Sequence, residues 1–94
     1  MATLGVLTLE LHIAHSHSLK DKRQVVRSLK ERLRSRFNVA AAELNHLDSW
    51  QRAVIGVVTL ANDRPRVEQV LQQVEKEAAN ILGADLVSAD VEYL

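Results

Sequence analysis

Two hydrophobic periods alternate along these 94 residues, and their order leaves few folds open. Over residues 3–13 the odd positions Leu7, Leu9, Leu11 and Ile13 form one apolar face, which is the two-residue period of a half-buried strand. The even positions start apolar at Leu4 and Val6, then turn polar through Thr8, Glu10 and His12. Ser18 predicts the start of a helix, with Asp21 three residues on in a capping-box arrangement. Val26, Leu29, Leu33 and Phe37 then share one helical face, widened by Leu19 and Val25. Residues 38–46 read as a second strand despite their alanines, which are poor strand formers. Residues 52–61 read as a third strand, apolar on both sides and therefore central. Asn62 or Asp63 caps a second helix, and Pro65 suits its first turn. Val67, Val70, Leu71, Val74, Ala78, Ile81 and Leu82 line the face of that helix, and Gly83 is placed to end it. Val87, Ala89, Val91 and Tyr93 alternate through a last strand.

The order β-α-β-β-α-β accounts for residues 1–94 as one domain of the α+β class. It predicts a ferredoxin-like sandwich, a four-stranded antiparallel sheet with both helices on one face and strands one and three at its centre. The other face has no helix to cover it. Strand three is apolar there, and Leu4 and Val6 of strand one add to it. An apolar sheet face calls for a partner, and a second copy is the simplest. A partly apolar but solvated face is the plain alternative. Trp50, in a polar loop between strands, is either a lid over the edge of the core or an interface anchor. With Leu4 and Val6 it forms the expected interface set.

Composition removes several classes. No cysteine is present, which excludes disulfide frameworks, thiolate metal sites and thiol chemistry. The first ten residues carry no basic side chain, unlike a signal peptide. The longest apolar run, Val54 to Ala61, falls far short of the roughly 20 residues of a membrane-spanning helix. A cytoplasmic protein is the expectation.

Lys and Arg balance Asp and Glu at 12 each, so the net charge is zero. That average argues against a protein coated in basic residues. Its distribution says something different. Lys20, Lys22, Arg23, Arg27, Lys30, Arg32, Arg34 and Arg36 all fall on the first helix, opposed only by Asp21 and Glu31. Residues 20–36 therefore carry +6 and the remainder −6. Lys20, Arg23, Arg27, Lys30 and Arg34 are spaced three, four, three and four apart. Such spacing puts all five on one stripe roughly 21 Å long. Like charges so placed repel by a few tenths of a kcal/mol per pair. The functional reading is a ridge for phosphates of structured RNA. The plain alternative is a solvated face pairing with acids of the second helix or last strand. The central strands lack aromatics to stack on bases, so any RNA contact would be by shape and backbone.

Catalytic or metal chemistry has little support. His12, His15, His17 and His46 have no carboxylate at a recognised ligand spacing. Ser18 is better explained as a cap than a nucleophile, and Glu43 and Asp48 are single acids beside a loop. A less favoured enzyme reading would use His12, His46 and Glu43. Gly5, Gly56 and Gly83 are isolated and make no phosphate-cradling loop. Within strands, Gly5 and Gly56 suggest a bulge or a close backbone approach. Neither a metal nor a cofactor is expected.

Four segments taken together resemble a known family: Ser18-Leu19-Lys20-Asp21-Lys22-Arg23, Arg36-Phe37-Asn38-Val39, Ala42-Glu43-Leu44 and Trp50-Gln51-Arg52-Ala53-Val54-Ile55-Gly56. They resemble the YlxP-like family of small bacterial proteins, gathered under a domain of unknown function, and the likeness covers essentially the full chain. The resemblance implies a ferredoxin-like fold and an association with RNA or the small ribosomal subunit. It supplies no catalytic residues. The sequence thus leads to a non-catalytic, homodimeric protein that binds structured RNA or the small ribosomal subunit. Lys20, Arg23, Arg27, Lys30 and Arg34 would be its phosphate contacts, with Lys22 and Arg52 at the rim. The alternative is a protein-interaction or small-ligand regulatory module acting through the apolar sheet face or the Trp50 loop.

Overall fold

The computed structural model describes every residue from Met1 to Leu94. Six main elements follow in the expected order: β1 (Thr3–His12), α1 (Leu19–Arg36), β2 (Ala40–Asn45), β3 (Arg52–Ala61), α2 (Arg64–Leu82) and β4 (Leu86–Tyr93). The strands form one sheet in the order β2-β3-β1-β4, all neighbours antiparallel. The fold is α+β and ferredoxin-like, with β1 and β3 central.

Local chemistry fixes the helix ends. Ser18 Oγ accepts the Asp21 N–H at 3.0 Å, while the Asp21 carboxylate accepts the His17 N–H, also at 3.0 Å. The reciprocal box therefore closes one residue earlier than the ideal pattern. Of the two candidate caps for α2, Asp63 is the one used, its carboxylate accepting the Arg66 N–H at 2.9 Å. Gly83 ends α2 with a positive φ of 55°, although its ψ of −127° lies outside the left-handed helical basin. A short 3₁₀ turn, Gly83–Asp85, then leads into β4.

The core lies between the sheet and the two helices. Leu7, Leu9, Leu11 and Ile13 of the first strand segment face Val26, Leu29 and Leu33 of α1 and Val67, Leu71, Val74, Ala78 and Leu82 of α2. Ala53, Ile55 and Val57 of β3 complete it. The strand alternation and the helical stripes meet because both bury the same face of the sheet. A Cβ on Gly5 would stand 2.6 Å from Val67 Cγ1 and 2.8 Å from Leu71 Cδ1, so the bare glycine lets α2 sit close on β1. β2 is shorter than expected, beginning at Ala40 rather than residue 38.

The opposite face of the sheet has no helix. Leu4 and Val6 lie there across from Leu60 and Val58. On the same face the Leu44 side chain crosses Gly56, where a Cβ would stand 2.6 Å from Leu44 Cδ1. Leu44 and Leu60 remain 58% and 62% exposed. No helix is long and apolar enough to cross a membrane.

Candidate functional site

α1 presents eight basic residues, and the fold gives them three different surroundings. Arg32 and Arg36 turn toward α2 and meet Glu77. Arg36 Nη1 lies 3.1 Å from both Glu77 oxygens, and Arg32 Nε lies 3.9 Å from one of them. Lys22 turns inward. The other five, Lys20, Arg23, Arg27, Lys30 and Arg34, have no ion-pair partner and no side-chain hydrogen bond. Four of them are exposed and Lys30 is half-buried. The five residues that share a stripe by spacing are thus the five cations of α1 that form no ion pair.

This stripe overhangs β2. Arg23, Arg27, Lys30 and Arg34, with Val26 and Glu31, form one wall of a shallow groove of about 280 Å³, and Glu43 of β2 contributes the other. Glu43 does not neutralise the stripe, because its carboxylate is bound to Lys22 at 2.9 Å. Glu31 is then the remaining acid in the groove.

Lys22 corrects one sequence expectation. Placed at the rim of a phosphate surface, it is instead 0% exposed. Its Nζ donates to Glu43 Oε2 at 2.9 Å, to the His46 carbonyl at 2.8 Å, and to the Leu47 and Arg52 carbonyls at 3.3 Å. A buried ammonium must be compensated in this way. The effect is to pin the β2–β3 loop to the start of α1. Phosphate has no access to this ammonium, so Lys22 leaves the candidate set. A signal for this was present in the sequence. Lys22 precedes Val26, Leu29 and Leu33 at spacings of four, three and four, so it sits on the buried face. Glu43, two residues after the inward Ala41, alternates onto the same side.

Arg52 is likewise apart from the stripe. It lies on the helix-free face of the sheet, where Nη2 meets Glu10 Oε1 at 3.3 Å. Leu4 and Val6 occupy that face as expected. There Val6 lines an almost wholly apolar slot of about 170 Å³ with Ala40, Ala41, Ala42, Leu44, Gly56 and Val58. Trp50 is 57% exposed and is no lid over the core. The neighbouring Leu47 is 56% exposed.

The histidines disperse. His12 Nε2 is 3.4 Å from Gln51 Oε1, and His15 Nδ1 is 3.9 Å from Asp85. His46 takes a positive φ of 61° in the β2–β3 loop. No group of three or more His, Asp or Glu side chains converges in a way that would hold a metal ion.

Comparison with known proteins bears on the fold and on the family. Among solved structures, the designed protein Foldit4 matches with a TM-score of 0.61 at 9% identity, covering 100% of this chain and 97% of that one. A C-terminal segment of the alpha subunit of aIF2 from Pyrococcus abyssi matches with a TM-score of 0.55 at 16% identity, covering 98% of this chain and 48% of that one. The designed ferredoxin-fold protein LFR1 1 matches at 0.50 and 11% identity, covering 100% of this chain and 84% of that one. At these identities the likeness is one of fold. In sequence, the uncharacterized protein YlxP of Bacillus subtilis is 34% identical over 71 residues, which is 76% of this chain and 77% of that protein. The family described as "Protein of unknown function (DUF503)" matches residues 4–91, and the chain belongs to that family.

Proposed function

We propose that this protein is a non-catalytic, cytoplasmic RNA-binding protein that holds structured RNA, or the small ribosomal subunit, through the exposed stripe on α1. The observation that carries the reading is the segregation of pairing. Ordinary surfaces intersperse acids among bases. Here Arg32 and Arg36 pair with Glu77, whereas Lys20, Arg23, Arg27, Lys30 and Arg34 form no ion pair and have Glu31 as the single free acid among them. Cations on a rigid helix neutralise phosphates and release counterions. The exposed stripe offers no aromatic, so recognition is of backbone and shape.

The test is a titration of duplex RNA, and of small-subunit particles, at several salt concentrations. Five contacts predict a log–log salt slope of about −3.5 to −4.5. A variant with all five residues changed to Gln should lose that slope while keeping its fold. Unchanged RNA affinity in the folded variant would reject the reading.

A second reading rests on the helix-free sheet face, where Leu44 and Leu60 stand more than half exposed beside Leu4, Val6 and Val58. This face would join two copies or take an apolar protein or small-molecule partner. A chain that sediments as a monomer at high micromolar concentration has no homodimer of this kind.

A further inference from the structure

The stripe overhangs a strand edge that is itself open. β2 (Ala40–Asn45) pairs only with β3, so the outer side of its backbone presents unpaired N–H and C=O groups. Proteins commonly blunt such edges with Pro, Lys or an inward charge. Ala40, Ala41 and Ala42 supply none of these, and the single charge on β2, Glu43, is held by Lys22.

The two sides of this edge differ in chemistry. On the helix side runs the groove of about 280 Å³ walled by Arg23, Arg27, Lys30 and Arg34, which outnumber its two carboxylates, the exposed Glu31 and the Lys22-bound Glu43. On the open side lies the apolar slot of about 170 Å³, floored by Val6, Gly56 and Val58 and bounded by Ala40, Ala42 and Leu44. A strand laid along β2 would direct successive side chains to these two sides in turn. We propose that the β2 edge accepts, by strand addition, an extended segment of a partner protein in which acidic residues alternate with apolar ones. Main-chain hydrogen bonds would supply affinity and the two linings specificity. The acidic side chains meet cations that form no ion pair within this chain and exceed the one free acid of the groove, Glu31, and the apolar ones cover the slot.

A second copy fits this edge poorly. Antiparallel β2–β2 pairing about a two-fold axis would set two unpaired basic stripes facing each other. An RNA backbone makes no use of a strand edge or an apolar slot. Because the segment shares the stripe with the RNA reading, on which this part of the inference rests, its binding excludes RNA.

The experiment uses an eight-residue fluorescent peptide alternating Asp and Val, titrated by anisotropy into the intact protein. Two control peptides leave the protein unaltered: one with the same residues in two blocks, and one N-methylated at alternate amides. The alternating peptide should bind at least about tenfold tighter than either control. It should also lose at least about tenfold in affinity for the five-Gln stripe variant, and it should displace labelled RNA. Equal binding of the block peptide reduces the effect to non-specific charge and overturns the proposal. Equal binding of the N-methylated peptide overturns strand addition. No binding at millimolar peptide, with a dimer that Ala42→Pro dissociates, assigns the edge to a second copy and also overturns it. RNA binding without peptide binding rejects this inference alone, and peptide binding without RNA binding rejects the RNA reading alone.

Discussion

On the flank of α1 that faces α2, Arg32 and Arg36 converge on Glu77, whose side chain is mostly buried. On the flank over β2, Lys20, Arg23, Arg27, Lys30 and Arg34 form no ion pair, although Glu31 and Glu43 stand in the same groove. The residue types are the same on the two flanks. The difference lies in what each neighbouring element brings. α2 offers a carboxylate that bridges the helices, whereas the carboxylate of β2 is already bound by Lys22. Lys22 therefore does two things for the second flank. It withdraws its own charge into the interior and keeps Glu43 from neutralising the stripe.

The largest expected effect separates Lys22 from the stripe. Lys22→Met leaves Glu43 and three carbonyls without their ammonium, and should cost about 3–5 kcal/mol in chemical denaturation. Adding Glu43→Gln should cost little more, giving a coupling of about 1–3 kcal/mol in the double-mutant cycle. A single-variant loss below about 1 kcal/mol would place Lys22 with the exposed cations and erase the contrast.

The fit of α2 on the sheet is the next test, because it sets where Glu77 stands. Gly5→Ala forces Val67 and Leu71 aside, and should cost about 1–3 kcal/mol. If Arg32 and Arg36 depend on that fit, the same variant should bind RNA with a steeper salt slope.

Glu77→Gln addresses the paired flank directly. The pair is half exposed on its arginine side, so the stability loss should be only about 0.2–1 kcal/mol. RNA affinity should rise, with a salt slope steeper by up to about two, as two arginines are released. An unchanged slope would show that the flank facing α2 lies beyond reach of the ligand.

The smallest effect carries opposite signs. Arg27→Glu places an acid three or four residues from Lys30 and Arg23, and one new repulsion toward Glu31. Thermal stability should rise by a few tenths of a kcal/mol. The RNA salt slope should fall by about one. Loss of both stability and binding would mean that Arg27 supports the fold.

Much of this is legible in the sequence. Leu7 to Ile13, the Val26–Leu33 face and the α2 stripe each declare a local period, and local periods fix which side of an element is buried. The edges of elements were less legible. Val39 is a better strand former than the alanines that follow it, yet β2 starts at Ala40. Lys22 was readable as inward from its spacing, but a lysine at that spacing is a problem until its partners are known. Those partners lie 21 to 30 residues away, in β2, the following loop and the first residue of β3. The sequence places Arg52 at the rim of the stripe. Its place on β3 turns it instead to Glu10, 42 residues earlier.

By itself the sequence determined the element order, the two-layer α+β architecture and the concentration of positive charge on α1. These depend on repeats of two and 3.6 residues and on counting, which need no long-range information. The tertiary structure alone decided which of those charges are answered. An ion pair depends on where distant carboxylates arrive, and Glu77 and Glu43 arrive beside Arg32, Arg36 and Lys22 while leaving the stripe uncovered.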